Sequence, residues 1–183
     1  MAGKNSGINL VLQAADFAAG KHSNKRRKDS KRSPYINHPV RAALLMADAG
    51  CVTDNELLAA AFLHDTIEDT ETTNRELAKI FGARIAGIVN EVSDDKSLPK
   101  KERKQRQILH AKELSKGAAV VKLCDLTSNI LDLTDNPPAR WNSQRCREYL
   151  DWAEKVISNL PPANKRLRRC FFRVLQNARE KIR

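Results

Sequence analysis

The sequence predicts an all-α fold of about eight to ten helices, on three observations. Apolar residues recur at three- and four-residue intervals in one segment after another; Gly and Pro fall at the ends of those segments; and no segment alternates apolar with polar residues as a half-buried strand would. There is no internal repeat and no low-complexity linker. A chain of 183 residues suits one domain with a proper core. That single domain is read over residues 1–183, with its core at about residues 8–160 and a basic C-terminal helix at 165–182.

In chain order, Ile8, Val11, Leu12, Ala15, Ala18 and Ala19 give a first helix ending near Lys21. A basic segment to Arg32 follows, with seven Lys or Arg against one acid, Asp29. Two prolines in Pro34-Tyr35-Ile36-Asn37-His38-Pro39 stop any continuous helix there. Asn37 is placed to cap the next helix, with Pro39 in its first turn, and Val40, Leu44 and Leu45 carry it to about Gly50. Thr53 and Glu56 have capping-box spacing ahead of a third helix. Thr73 to Phe81 is a short helix stopped by Gly82, and Ile85, Ile88, Val89 and Val92 mark another. Ser93 to Pro99 is a loop, and Lys100 to about Lys116 an exposed helix with a narrow stripe of Ile108, Leu109 and Leu114. The run from Ala118 leads to Asp125, and a buried strand could also explain Val120 to Leu123. The four-residue repeat of Asp125 and Asn129 decides for helix, with Gly117 at its start. After the loop Asp135 to Pro138 come helices over Trp141 to Leu160 and Lys165 to about Ile182.

Composition narrows the function classes. A content of 41% hydrophobic and 30% charged residues is that of an ordinary globular protein, but a formal charge of +11 is not, and it implies an anionic partner such as a polyphosphate or a nucleic acid. Cys51, Cys124, Cys146 and Cys170 are widely spaced with no C-x-x-C pair, which points to reduced thiols rather than a disulfide frame. The first residues read as too polar for a secretory leader, and no apolar run approaches the ~18 residues of a membrane span, so a cytoplasmic location is expected.

The chemistry is concentrated in Ala61-Phe62-Leu63-His64-Asp65-Thr66-Ile67-Glu68-Asp69-Thr70. On one continuous helix, Leu57, Ala61, His64, Asp65 and Glu68 would share a face that begins apolar and ends in an imidazole and two carboxylates. Burying such groups without partners costs roughly 2–7 kcal/mol for each neutral polar group and more for a charge. A divalent metal would satisfy them, and imidazole with carboxylate suits Mn, Fe or Zn. His38 and Asp125, each at the edge of an apolar stretch, are the other candidate ligands; spacing alone does not assemble the four.

The order His38, then His64-Asp65, then Asp125 resembles the HD phosphohydrolase superfamily. Arg27-Lys28, Pro34 to Pro39, His64 to Thr70, and Lys122-Leu123-Cys124-Asp125 with Asn129 look like the hydrolase domain of RelA/SpoT proteins. Ala14-Ala15-Asp16-Phe17-Ala18-Ala19, Asp94-Asp95-Lys96-Ser97-Leu98-Pro99 and Glu148-Tyr149-Leu150-Asp151-Trp152-Ala153 are similar to segments of the small alarmone hydrolases of the metazoan SpoT-homologue type. The resemblance spans roughly residues 10–165.

It implies an HD-domain helical bundle and a hydrolase that uses one Mn ion to remove the 3′-pyrophosphate of guanosine tetra- or pentaphosphate. The implied metal ligands are His38, His64, Asp65 and Asp125. Glu68 and Asp69 match the acidic pair beside the attacking water, with their acid/base roles undivided. Arg27, Lys28, Tyr35, Asn129 and Tyr149 match nucleotide-site residues, Arg27 for stacking on the base and Lys28 for phosphate; Lys25, Arg26, Lys31 and Arg32 are expected to form a solvated loop. Leu126 and Leu131 stand where the family commonly has basic residues, which leaves an adenosine alarmone or the 2′-phosphate of NADPH as alternative substrates. Two further alternatives are a general HD nucleotide phosphatase and a nucleic-acid-binding protein with an idle site. The latter would use Lys165 to Arg183, where eight Lys or Arg face one Glu.

Overall fold

A computed structural model of the chain describes residues 7–182; the N-terminal residues read above for a leader and the terminal Arg183 lie outside them. The α-helices among the described residues are α1 (Gly7–Lys21), α2 (Asn37–Ala47), α3 (Asn55–Leu63), α4 (Thr66–Asp69), α5 (Asn74–Phe81), α6 (Ala83–Val92), α7 (Lys100–His110), α8 (Lys116–Asp135), α9 (Ser143–Asn159) and α10 (Lys165–Lys181). The only strand-like pairing among the described residues is two isolated bridges, Arg26 with Pro34 and Asp29 with Pro138.

Helix α8 is the axis. Ala118 through Ser128 is buried without interruption, which is why Val120 to Leu123 taken alone could also be a core strand. Helices α2, α3, α6, α9 and α10 pack around it, α1 lies on α3, and α7 lies on α9. One connected cluster of buried apolar side chains runs from Ala14 in α1 to Ala178 in α10. Gly117 lets the start of α8 close on its neighbours, since a Cβ there would sit 3.0 Å from Ile88 Cδ1 and 3.1 Å from Leu57 Cδ2. Gly82, at φ 93°, makes the left-handed break between α5 and α6.

Several boundaries differ from expectation. Asp54, not Thr53, caps α3, accepting from the backbone N–H of Glu56 at 3.0 Å and of Leu57 at 3.3 Å. A carboxylate at that position also meets the positive end of the helix dipole, and such a cap is worth about 1 kcal/mol. Asn37 lies inside α2 instead of capping it. The Pro34 and Tyr35 carbonyls already accept the first N–H groups, at 3.2 and 3.0 Å. Helix α7 stops at His110, and a short 3-10 turn over Ala111–Glu113 leads to Ser115, whose hydroxyl accepts from Ala118 N–H and begins α8. Leu109 faces solvent, so the buried stripe of α7 is thinner than its sequence suggests.

Candidate active site

The His64-Asp65 pair does not sit on a continuous helix. Helix α3 ends at Leu63, and α4 restarts at Thr66. The side chains themselves make the break: His64 Nδ1 lies 2.8 Å from the Ala61 carbonyl and Thr66 Oγ1 donates to the Leu63 carbonyl at 2.7 Å, claiming acceptors at the end of the helix. The turn drives the His64 ring inward and leaves Glu68 and Asp69 on a separate single turn.

His38, in the first turn of α2, and Asp125, in the middle of α8, complete the cluster. His38 Nε2 is 3.1 Å from His64 Nε2, 3.6 Å from Asp65 Oδ2 and 3.3 Å from Asp125 Oδ1. His64 Nε2 is 3.2 Å from Asp65 Oδ2 and 3.8 Å from Asp125 Oδ1. His38, His64 and Asp65 form the tight group that could hold a metal ion, and Asp125 approaches both imidazole nitrogens. With Nδ1–H spent on the Ala61 carbonyl, neutral His64 offers a lone pair at Nε2. Lone pairs and carboxylates thus converge with no donor at their centre, and the set fits a divalent cation of the Mn, Fe or Zn kind.

The electrostatics say the same. Burial pulls the His64 imidazole down, but Asp65 and Asp125 outweigh it and lift it to about 9. Burial works against charge on Asp65, yet the two imidazoles and the Tyr35 hydroxyl hold its carboxyl well below the carboxylate range. Asp125 is likewise opposed by burial, but Lys122 and the imidazoles hold it at about 2. Such a cluster binds a proton when nothing better is present and exchanges it for a metal.

His38, Asp65 and Asp125 line a cleft of about 580 Å³, with His64 buried behind them. Glu68 and Asp69 line it beside the cluster. Burial, then the charges of Asp65 and Asp94, raise Glu68 to about 7, with Lys96 Nζ and Arg103 Nη1 each 3.8 Å from Oε1. Asp69 is ion-paired with Lys96 and, at 3.7 Å, with Lys25. Lys25 is therefore drawn into the site, contrary to expectation, whereas Lys31 and Arg32 are exposed as expected. Arg26 lines the rim, bonded only to the Ser23 and Lys25 carbonyls.

The residues matched to nucleotide contacts divide. Tyr35 donates to Asp65 Oδ2 at 2.7 Å, so it orients a carboxylate. Asn129 donates to Asp125 Oδ1 at 2.7 Å and accepts from Arg27 Nη2 at 2.8 Å. Arg27 is also paired with Asp132 at 2.7 Å and lies 5.5 Å from the centre of the Tyr35 ring, so it is held in place rather than free over the cleft. Lys28 is exposed on the rim. Tyr149 sits between Trp141 and Trp152, at ring distances of 5.6 and 5.2 Å.

The structure adds residues that spacing did not reveal. Lys122 is buried, donating to the Val92 carbonyl at 3.2 Å and to Asp125 Oδ2 at 3.4 Å; the signal was a lone lysine inside an apolar run. Ser128 Oγ, fully buried, lies 3.0 Å from His38 Nδ1 and fixes the ring that faces the cluster. Lys100 and Lys104, one turn apart on α7, line the cleft and form no ion pair among the described residues; in sequence they disappear into a charge run. Lys104 Nζ stands 3.7 Å from the Trp152 ring centre, and burial followed by Lys100 and Arg145 lowers its amine to about 8.

Comparison with known proteins agrees with this geometry. An HD domain family model matches residues 14–151. The guanosine-3′,5′-bis(diphosphate) 3′-pyrophosphohydrolase MESH1 of Danio rerio is 47% identical over 155 residues, covering 85% of this chain and 86% of that protein. The Homo sapiens protein of the same name is 46% identical over 157 residues, 86% of this chain and 88% of its own. A solved structure described as a metazoan ortholog of SpoT that hydrolyzes ppGpp superposes with a TM-score of 0.88 and 38% identity, covering 92% of this chain and 94% of that one.

Proposed function

This chain belongs to the HD domain family, and we propose that it is a metal-dependent hydrolase that removes the 3′-pyrophosphate of guanosine tetra- and pentaphosphate, giving GDP or GTP and pyrophosphate. The observation that carries this reading is the meeting of His38, His64, Asp65 and Asp125 at the wall of a basic cleft that His38, Asp65 and Asp125 line. Residues 1–183 act as one hydrolase domain, with Mn as the ion. Four free cysteines and the absence of any helix long and apolar enough to cross a membrane, both among the described residues, are compatible with a cytoplasmic setting.

Bound at the four ligands, the ion would supply Lewis acidity, drawing charge from a phosphoryl oxygen and acidifying water. The remaining work belongs to side chains. Tyr35, Asn129 and Lys122 hold Asp65 and Asp125 in their charged, ligating orientation. Glu68, at about 7, can take the proton of the attacking water and return one to the departing 3′ oxygen near neutral pH. Asp69, tied to Lys96 and Lys25, positions that water. The cleft then needs cations for the phosphates and flat groups for the base. Lys28, Lys100 and Lys104 supply the first, and Tyr149 with the neighbouring tryptophans the second.

Lys104 gives this arrangement a pH signature. A lysine is charged below its pKa, so Lys104 loses its charge as pH rises through about 8. The expected result is a KM that rises about tenfold between neutral pH and the alkaline limb, the worth of one charge-assisted hydrogen bond. Lys104→Arg, which cannot deprotonate, should flatten that rise, and Lys104→Met should show the high KM at neutral pH. Identical KM profiles for wild type and Lys104→Arg would remove Lys104 from the substrate site.

The function is tested by adding back metals to chelated protein and offering guanosine tetraphosphate, its adenosine counterpart, NADPH and nucleoside triphosphates. Activity on the guanosine alarmone, restored better by Mn than by Mg, is expected because imidazole ligands favour the softer ion. Full activity in chelator, or a preference for nucleoside triphosphates, contradicts it.

A further inference from the structure

Helix α10 lies beyond the region matched by the HD family model and contributes no residue to the cleft. Its apolar side, Leu167, Phe171, Leu175 and Ala178, is buried against the body of the protein. With successive residues about 100° apart, Lys165, Arg166, Arg169 and Arg173 fall on the opposite side, and all four are exposed.

None of these four has an acidic partner. The Arg166 guanidinium donates to the Cys51 sulfur at 2.9 Å, and no ion pair involves Lys165, Arg166, Arg169 or Arg173 among the described residues. Two other cations of the helix are occupied. Arg168 donates to the Ser158 and Leu160 carbonyls, and Arg179 bridges Asp151 and Glu154. The stripe ends two turns on, where Glu180 takes the Gln176 amide at 3.3 Å.

For the folded protein this placement is unfavourable twice over. Cations in the first turns of a helix oppose its dipole, and Lys165–Arg169 and Arg169–Arg173 are like-charged pairs four residues apart. An external polyanion turns both costs into attraction. The four charges run about 12 Å along the helix, and guanidinium groups suit two-pronged contact with phosphate. A membrane surface fits less well, because an interfacial helix needs an apolar face to insert and this one is already spent on the core.

We propose that the outward face of α10 binds the phosphodiester backbone of a nucleic acid, at a surface separate from the hydrolytic cleft. Truncating α10 would expose Leu167, Phe171 and Leu175, so the test uses surface charges in the full chain. Binding of a fluorescein-labelled oligouridylate is followed by anisotropy. With three to four phosphates neutralised, affinity for this single strand should fall about 20- to 50-fold between 50 and 200 mM salt. Arg169→Gln with Arg173→Gln should weaken binding at least about tenfold at the lower salt and flatten the salt dependence by about half, with hydrolytic turnover unchanged and the thermal midpoint not lowered, since relief of the like-charge pairs favours the fold. Lys100→Glu with Lys104→Glu in the cleft should leave RNA binding intact. The proposal is overturned if the α10 variant binds like wild type, if the cleft variant abolishes binding, or if the protein binds phosphatidylserine vesicles and not RNA.

Discussion

Asp125→Asn is expected to lose both the bound metal and at least about 10³-fold in turnover, the rate worth of several kcal/mol of transition-state charge stabilisation. Asp125 is placed for two tasks. Its Oδ1 faces the imidazole pair, and its charge balances buried Lys122. Removing one partner of a buried ion pair costs about 3–5 kcal/mol of stability, a cost Asp125→Asn shares; Asp125→Ala would add a cavity and leave the Asn129 amide without its acceptor, confusing loss of fold with loss of metal. The asparagine keeps the volume and an oxygen for Asn129 while removing the charge. Metal content after gel filtration, initial rates and a thermal melt separate the effects. A folded Asp125→Asn protein that retains one metal per chain and ordinary turnover would show that Asp125 is not a ligand.

Glu68→Gln tests the other half of the site. The amide preserves shape, and the acceptor for the Asp94 backbone N–H, at 3.3 Å, is retained as an amide oxygen. What disappears is the ability to exchange a proton near pH 7. Turnover should fall by about 10²–10⁴ with metal content unchanged and KM shifted little. Asp69→Asn, which weakens a positioning charge rather than a proton carrier, should fall less. Were Glu68→Gln to turn over normally, proton transfer would have to be assigned elsewhere.

The fold was legible because its punctuation is local. Gly82 ends α5, and Thr73, Ser115, Asn142 and Asn164 each cap the helix that follows. The boundaries that moved were set by competition the sequence does not display. A charged Asp54 displaced Thr53 as a cap, and the Pro34–Tyr35 turn supplied carbonyls that made a cap at Asn37 unnecessary. The break at His64-Asp65 depends on hydrogen bonds from His64 and Thr66 that periodicity treats as neutral, so the shared face drawn from Leu57 to Glu68 was too simple.

The candidate ligands could be named from residue type and order, but their meeting depends on α2, α3 and α8 packing together. The supporting shell was harder to read. Ser128 and Lys122 lie inside a helix buried on all sides, where a polar residue in one dimension gives no direction. Arg27 looked like a free stacking group because its partner Asp132 lies 105 residues away. Lys25 looked like solvated loop for the same reason, since Asp69 closes on it from α4.

The most direct test of the central claim follows the products of guanosine tetraphosphate in ¹⁸O-labelled water with Mn-loaded protein. One pyrophosphate for each GDP, with the label in the pyrophosphate, is the predicted result: water attacks phosphorus at the 3′ position and the ribose oxygen leaves. Release of orthophosphate, or cleavage from the 5′ side, would contradict it.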